Sequence, residues 1–369
     1  MLSIRFEALP MDEVKELISI RTPAAGVSTV VPHPLARPVS PVHGAILARP
    51  SGQWDAVRAL ALRQLDRVVS SEPKVLRGDD PDSIHDFRVA SRRLQQILNL
   101  LYPRPRPRDI RRLRRKLKRC RRALGEVRNC DVLLERVERA LRRKRAAHQA
   151  TWMAVNDYLR QRRSAGFQKA IGKLSEVNLA VLYVRLRERL ISVGAAPGPS
   201  DRHQSIAFAD QPSPELFSER LASELERVWT GFETQIALSH RDPRASVLHG
   251  ARIATKRLRY LMEVLRSFRV PGSADALAWL RKLQQSLGDW HDLEALEQMM
   301  IDMVAQPKFL CEHLELAMNA EKLIVRNRGN KNEFQKKYFQ MTRESGEFER
   351  NKNWVGYLLG SPSAAFAKP

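Results

Sequence analysis

Cysteine is scarce: Cys120, Cys130 and Cys311 are spread over 369 residues with no C-x-x-C pair among them. An odd, widely spaced set builds no closed disulfide framework, and a reducing, cytoplasmic setting is expected. Aromatic residues make up 7% of the chain, and none interleaves with its densest basic run, so stacking on single-stranded nucleic acid has little support. No uninterrupted apolar run approaches the roughly 20 residues of a membrane span, and the amino terminus lacks a basic start followed by an apolar signal core, so neither insertion nor export is expected. Acidic residues are also short, with 41 Asp and Glu against 64 Lys and Arg, a formal net charge of +23. Self-repulsion of this size disfavours compaction and points to an anionic partner: a phosphate polymer, nucleic acid or a membrane surface. A solvated cationic surface is the plainer alternative, and clustering of the charges decides between the two.

Hydrophobic residues, at 43%, are sufficient for a substantial core. Residues 1–50 read as a Pro-rich extension and linker, with a short helix possible up to Ile20 and Pro23, Pro32, Pro34, Pro38, Pro41 and Pro50 behind it. From Trp54 the apolar residues Val57, Leu60, Leu65 and Val68 follow helical spacing, and no alternating β-branched run succeeds them. The expected fold class is all-α. A Gly-, Pro- and Ser-rich stretch, 194–214, separates a first helical repeat at 51–193 from a second at 215–345, with 346–369 as a tail and weak patterning after Gln306.

The two halves repeat each other. His85 opens H-x-x-R-V-A-S-R-R-L and His249 opens H-x-x-R-I-A-T-K-R-L, an offset of 164. Downstream, L-G-E-V-R-N-C-D begins at Leu124 and L-G-D-W-H-D-L-E at Leu287, an offset of 163. Asp80 with Pro81, and Asp242 with Pro243, are suitable helix starts ahead of the two histidines, although the spacings to His differ by two residues. In the L-G segments each Gly is expected to end one helix in a left-handed turn, with Asn129 or Asp292 beginning the next.

At about 100° per residue, Ile84, Phe87, Leu94, Leu98 and Leu101 form one apolar stripe, while His85, Arg88 and Arg92 share a separate face with Arg93 further round. His249, Arg252, Lys256 and Arg257 repeat that layout. Rungs one helical turn apart can grip successive phosphates of an extended polymer. Arginine suits the role because its planar guanidinium donates two hydrogen bonds to one phosphate and stays charged. Each histidine lies near a helix amino end, where free amides favour an anion; the alternative is that it packs against a neighbouring helix. From Arg104 to Arg122, twelve of nineteen residues are Arg or Lys. Leu113, Leu117, Cys120 and Leu124 give that segment a buried face, leaving the cations on the rest, either for an anion or for carboxylates from elsewhere. The second half offers only Arg281 and Lys282 at this place, so the surface is expected to be asymmetric. Arg128 and His291 occupy equivalent positions and can reach the same anion, while Asp131 and Glu294 are expected to pair with and orient the basic rungs.

These motifs resemble the CHAD family, the conserved histidine α-helical domain, from about Trp54 into the region after Gln306. The pattern G-x-D-P-x-x-x-H-D-x-R-V stands as Gly78, Asp80, Pro81, His85, Asp86, Arg88 and Val89, and H-x-x-R-I-x-x-K-R-L-R-Y runs from His249 to Tyr260. The resemblance implies one duplicated domain of two pseudo-twofold-related four-helix bundles, a basic groove or pore, and binding of inorganic polyphosphate, with association to polyphosphate granules among the roles it opens. Two departures bear on it: the first L-G motif continues Arg128-Asn129 instead of R-D, and Gln95 stands where Arg259 stands in the second half. The triphosphate tunnel domain often joined to this family has no E-x-E-x-K signature in residues 1–50.

The expected function is noncatalytic polyphosphate binding, with no cofactor and no metal. The candidate residues are His85, Arg88, Arg92, Arg93, Arg115, Lys118, Arg119 and Arg128 in the first half, and His249, Arg252, Lys256, Arg257, Arg259 and Lys282 in the second. Nonspecific nucleic-acid binding is the first alternative. A metal-dependent phosphohydrolase using His85, His249 and His291 is the second, without an H-E-x-x-H or comparable ligand spacing.

Overall fold

Helix-period apolar stripes mark the sequence from Trp54 to about Gln306, and the described residues there fold as helices joined by short turns. The computed structural model describes residues 51–142, 148–192, 214–343 and 346–360; the expectations for residues 1–50, and for the separating stretch up to residue 213, lie outside them. In the first half α1 (Ser51–Arg77), α2 (Pro81–Leu101), α3 (Arg108–Ala123), α4 (Gly125–Leu141), α5 (Gln149–Ser175) and α6 (Leu179–Ile191) follow in order. In the second, α7 (Pro214–Arg241), α8 (Ala245–Ser267), α9 (Ser273–Val304), α10 (Pro307–Glu312), α11 (Leu314–Met341) and α12 (Glu347–Gly360) follow. No strand occurs among the described residues, and the all-α expectation holds.

The helix order repeats with one substitution and one insertion. Helix α1 corresponds to α7 and α2 to α8; the α3–α4 pair corresponds to the single α9; α5 and α11 match at 27 and 28 residues, and α6 and α12 at 13 and 14. Helix α10 has no counterpart. The substitution corrects one expectation: Leu124 breaks α3 from α4, but α9 runs without interruption through Gly288. Neither Gly125 nor Gly288 adopts a left-handed turn, and Asn129 and Asp292 lie inside helices instead of opening them.

Burial follows the stripe read from the sequence. Ile84, Phe87, Leu94, Leu98 and Leu101 are buried on α2, as are Leu113, Leu117 and Cys120 on α3, and Leu258 repeats the burial of Leu94. Each fully buried leucine of this kind contributes about 2 kcal/mol. The core does not divide between the halves. One large cluster draws chiefly on α1, α2, α3 and α6 together with α7, α8, α9 and α12, and a smaller one joins α4 and α5 to α9 and α11. Trp54 of α1 meets Phe217 of α7 edge to face at 5.0 Å between ring centroids. The segment expected as a tail departs from that reading, because α12 places Phe348, Val355 and Leu358 in the large cluster.

Both histidine helices are entered through polar turns. Asp80 caps α2, its carboxylate accepting from the amides of Asp82 and Ser83, with Pro81 at the first helical position. Asp242 does not cap α8: it accepts from the amide and guanidinium of Arg244, and the helix begins only at Ala245. That two-residue delay absorbs the spacing difference between the halves, so His85 and His249 are each the fifth residue of their helices.

Candidate anion-binding site

Helices α2 and α8 pack against each other, and the ladder of each faces the ladder of the other. Arg92 lies within the electrostatic reach of both Arg252 and Lys256, and Arg88 within that of Arg252. From α4, Arg128 adds its charge beside His85 and Arg88. The His249 and His291 rings lie 5.2 Å apart between centroids, which brings α9 into the same centre. The structure therefore gathers His85, Arg88, Arg92, Arg128, His249, Arg252 and Lys256 into one cluster drawn from both halves.

This cluster is poorly neutralised. Burial, then Arg252 and Arg92, holds the Lys256 ammonium down to about 6. Burial and the surrounding arginines bring Arg88 to about 9, and burial with Arg252, His249 and Lys256 brings His291 to about 3. His85 and His249 are lowered for the same reasons, burial first. Asp292 is the carboxylate that opposes Arg252 and Lys256, and burial pushes its own pKa up, against the pull of Arg252. The Nε of Arg252 is buried without a hydrogen-bond partner. Like charges held together out of water raise the free energy of the empty site, and an anion with several oxygens relieves it. Among the described residues, no three of His, Cys, Asp and Glu converge as metal ligands.

Several sequence candidates lie elsewhere. Arg93 and Arg259 converge on Glu263: Arg93 donates Nε at 2.8 Å and an Nη at 3.2 Å, and Arg259 donates Nη1 at 2.7 Å. Arg93 reaches this carboxylate across the α2–α8 contact and Arg259 within α8, so neither stands open to a ligand, although Arg259 lies within electrostatic reach of Lys256 at the edge of the cluster. On the outer side of α3, Arg119 pairs with Glu176, and Lys282 pairs with Glu347 at 3.3 Å. Arg257 is exposed and takes no part in the central cluster. Arg115 and Lys118 line a groove along α3 that meets the central cluster at Gln95. The two carboxylates expected to orient the rungs do not: Asp131 binds Arg163 of α5 at 2.6 Å, and Glu294 binds Lys331 of α11.

The site also contains residues that the repeat did not single out. Arg121 is brought to about 10 by burial and by Arg92. Its backbone carbonyl accepts from Arg88, and its guanidinium donates to the Gln95 side chain. Gln95 also donates to the Arg114 carbonyl at 3.1 Å, while Arg114 donates back to the Gln95 carbonyl at 3.0 Å. Arg114 and Arg121 stand seven residues apart, each one position after a buried residue of the α3 stripe, Leu113 or Cys120. On a helical wheel both stand nearer that stripe than Arg111, Arg115 or Lys118, and that angle could have marked them, whereas adjacency could not, since exposed Lys118 also follows buried Leu117. Position 95 is neutral where the second half has Arg259: Gln95 ties α2 to α3, whereas Arg259 pairs with Glu263 of its own helix.

Taken together, an all-helical scaffold with a repeated sequence motif and an under-neutralised cationic centre between the two motif helices define a class of helical proteins with basic interiors. The chain belongs to the CHAD family: the family model described as CHAD domain matches residues 59–300, which is 242 of the 369 positions. Among solved structures it is similar to the CHAD domain from the plant Ricinus communis, at 21% identity and a TM-score of 0.55, over 85% of this chain and 97% of that one. It is also similar to PptA from Streptomyces chartreusis, at 12% identity and a TM-score of 0.51, over 78% of this chain and 98% of that one. At these identities the likeness shows the fold. The search of curated proteins found no match.

Proposed function

We propose that this protein binds inorganic polyphosphate without catalysis, in the cationic centre between α2 and α8. The observation that carries this reading is the convergence of Arg88, Arg92, Arg121, Arg252 and Lys256 with Asp292 as the opposing carboxylate. A linear polymer with a charge on every unit offers each rung an oxygen and needs no base recognition. Membership of the CHAD family supports the same reading. It carries with it a cytoplasmic setting, in keeping with three free thiols, and polyphosphate granules as the place of association. Among the described residues no helix is long and apolar enough to cross a membrane.

Titration of the purified protein with long-chain polyphosphate over a salt series tests the proposal. Five cations at roughly 0.7 counterions each, by analogy with single-stranded nucleic acid, give a log–log salt slope of at least about −3. The double substitution Arg92→Ala, Arg252→Ala is expected to weaken binding at least about tenfold, since each removes a charge-assisted hydrogen bond. Absence of binding at low salt, or displacement of polyphosphate by DNA at matched phosphate concentration, overturns the reading.

A further inference from the structure

We propose that the groove along α3 is a second anion subsite, contiguous with the central cluster and occupied only by polyphosphate chains long enough to leave the centre. This inference rests on the polyphosphate reading above and adds a direction and a length selectivity to it.

The groove has a volume of about 640 Å³; Gln95, Arg106, Arg111, Arg114, Arg115 and Lys118 are among its lining residues, which include no carboxylate. Its inner end is Gln95, whose side chain also receives Arg121 from the central cluster. A chain held by Arg92 and Arg121 therefore meets Arg114 next, one helical heptad along α3. From Arg121 to Arg111 is ten residues, about 15 Å of helix, a distance a short oligomer bound at the centre does not span.

The comparison between halves shows why this groove carries so little negative charge. By the offset of 164, the second-half pair Arg259 and Glu263 corresponds to Gln95 and Asn99. Glu263 consumes the charge of Arg93 and Arg259. Asn99 has no charge to give, and accepts from Arg106 at 3.1 Å through its amide oxygen. The Nε of Arg106 is buried with no partner, and burial together with Arg106 holds Arg114 down to about 10. Glu224 of α7 opposes the charge of Arg106 and Arg114, while its hydrogen bonds go to Gln96, Asn99 and Arg227. The first half thus sets one carboxylate, Glu224, which Arg227 shares, against Arg106 and Arg114, and leaves the remaining cations of the groove for an external anion.

The experiment compares tripolyphosphate and long-chain polyphosphate on three proteins: the unaltered chain, the groove variant Arg111→Ala, Arg115→Ala, Lys118→Ala, and the central variant Arg92→Ala, Arg252→Ala. The three substituted residues are exposed, so their removal leaves the fold intact, which a thermal melt verifies. The groove variant is expected to bind the long polymer about tenfold more weakly, as three exposed ion pairs would give. Its salt slope should fall by about 2, with tripolyphosphate binding unchanged. The central variant should lose both ligands. Equal losses of both ligands in the groove variant would reduce the groove to a long-range field, and no loss of the long polymer would remove it as a subsite; either result overturns the inference while the centre stands. If the unaltered chain binds neither ligand at low salt, the polyphosphate reading itself fails.

Discussion

Glu263 accepts from Arg93 and Arg259 at once, and Arg259 in addition lies over the Tyr260 ring at 4.7 Å. Replacing the carboxylate with an amide of the same shape leaves two guanidinium groups facing each other across α2 and α8 with no counterion. The variant Glu263→Gln should therefore lose about 1 to 2 kcal/mol of stability, a discount from fully buried pairs because the groups retain some solvent. It should also bind polyphosphate several-fold more tightly, since both arginines become available to the anion. Chemical denaturation and a binding titration on the same preparation check the two signs. Loss of stability without gain of affinity would mean that Arg93 and Arg259 cannot turn toward the centre. The repeat motif singled out both arginines as candidate anion ligands. The carboxylate that occupies them was not legible as their partner, because a pairing across 170 positions, Arg93 to Glu263, leaves no trace in local spacing.

Helix α2 is delivered to the site by the turn at Gly78, which has φ +76°. Its carbonyl accepts from Arg163 of α5 at 2.9 Å, and the Phe167 ring stands where a Cβ would go. Gly78→Ala combines a left-handed backbone with a steric clash, so a loss of about 2 to 4 kcal/mol is expected. Urea denaturation measures it, and an alanine tolerated within about 0.5 kcal/mol would show that the turn relaxes. At this scale most elements were legible. The apolar stripes of α2, α3 and α8 repeat every three to four residues, and local periodicity is all that a helix needs. Two features were not. Helices α11 and α12 bury narrow faces, such as Ala317, Ala320 and Leu323, or Phe348, Val355 and Leu358, and so narrow a stripe is faint in a polar sequence. On α3, one residue is a rotation of about 100°: Arg114 and Arg121 point inward beside the stripe, while Arg115 and Lys118 point outward. A count of cations cannot separate them.

Across the whole molecule the cationic centre couples stability to pH, and the sign follows from which state binds more protons. Folded Lys256 titrates at about 6 against an ordinary 10.5, and folded His291 at about 3 against 6.5. Between each pair of values the unfolded chain carries the proton and the folded chain does not, so the free protein gains stability as pH rises through both windows and loses it as pH falls. His85 and His249, also lowered, act in the same direction. Asp292, raised by burial, acts oppositely, but only in the acid range above its ordinary 3.8. The melting temperature of the free protein should therefore climb from pH 6.5 to pH 8, where Lys256 supplies the dependence, and Lys256→Met should flatten that climb. Saturating polyphosphate should flatten it too, because phosphate oxygens restore the proton to Lys256. Binding in this interval is then accompanied by proton uptake and tightens as pH falls. Thermal melts with and without polymer, paired with calorimetry in buffers of different ionisation enthalpy, read both consequences. Proton release on binding would show that the polymer does not reach Lys256.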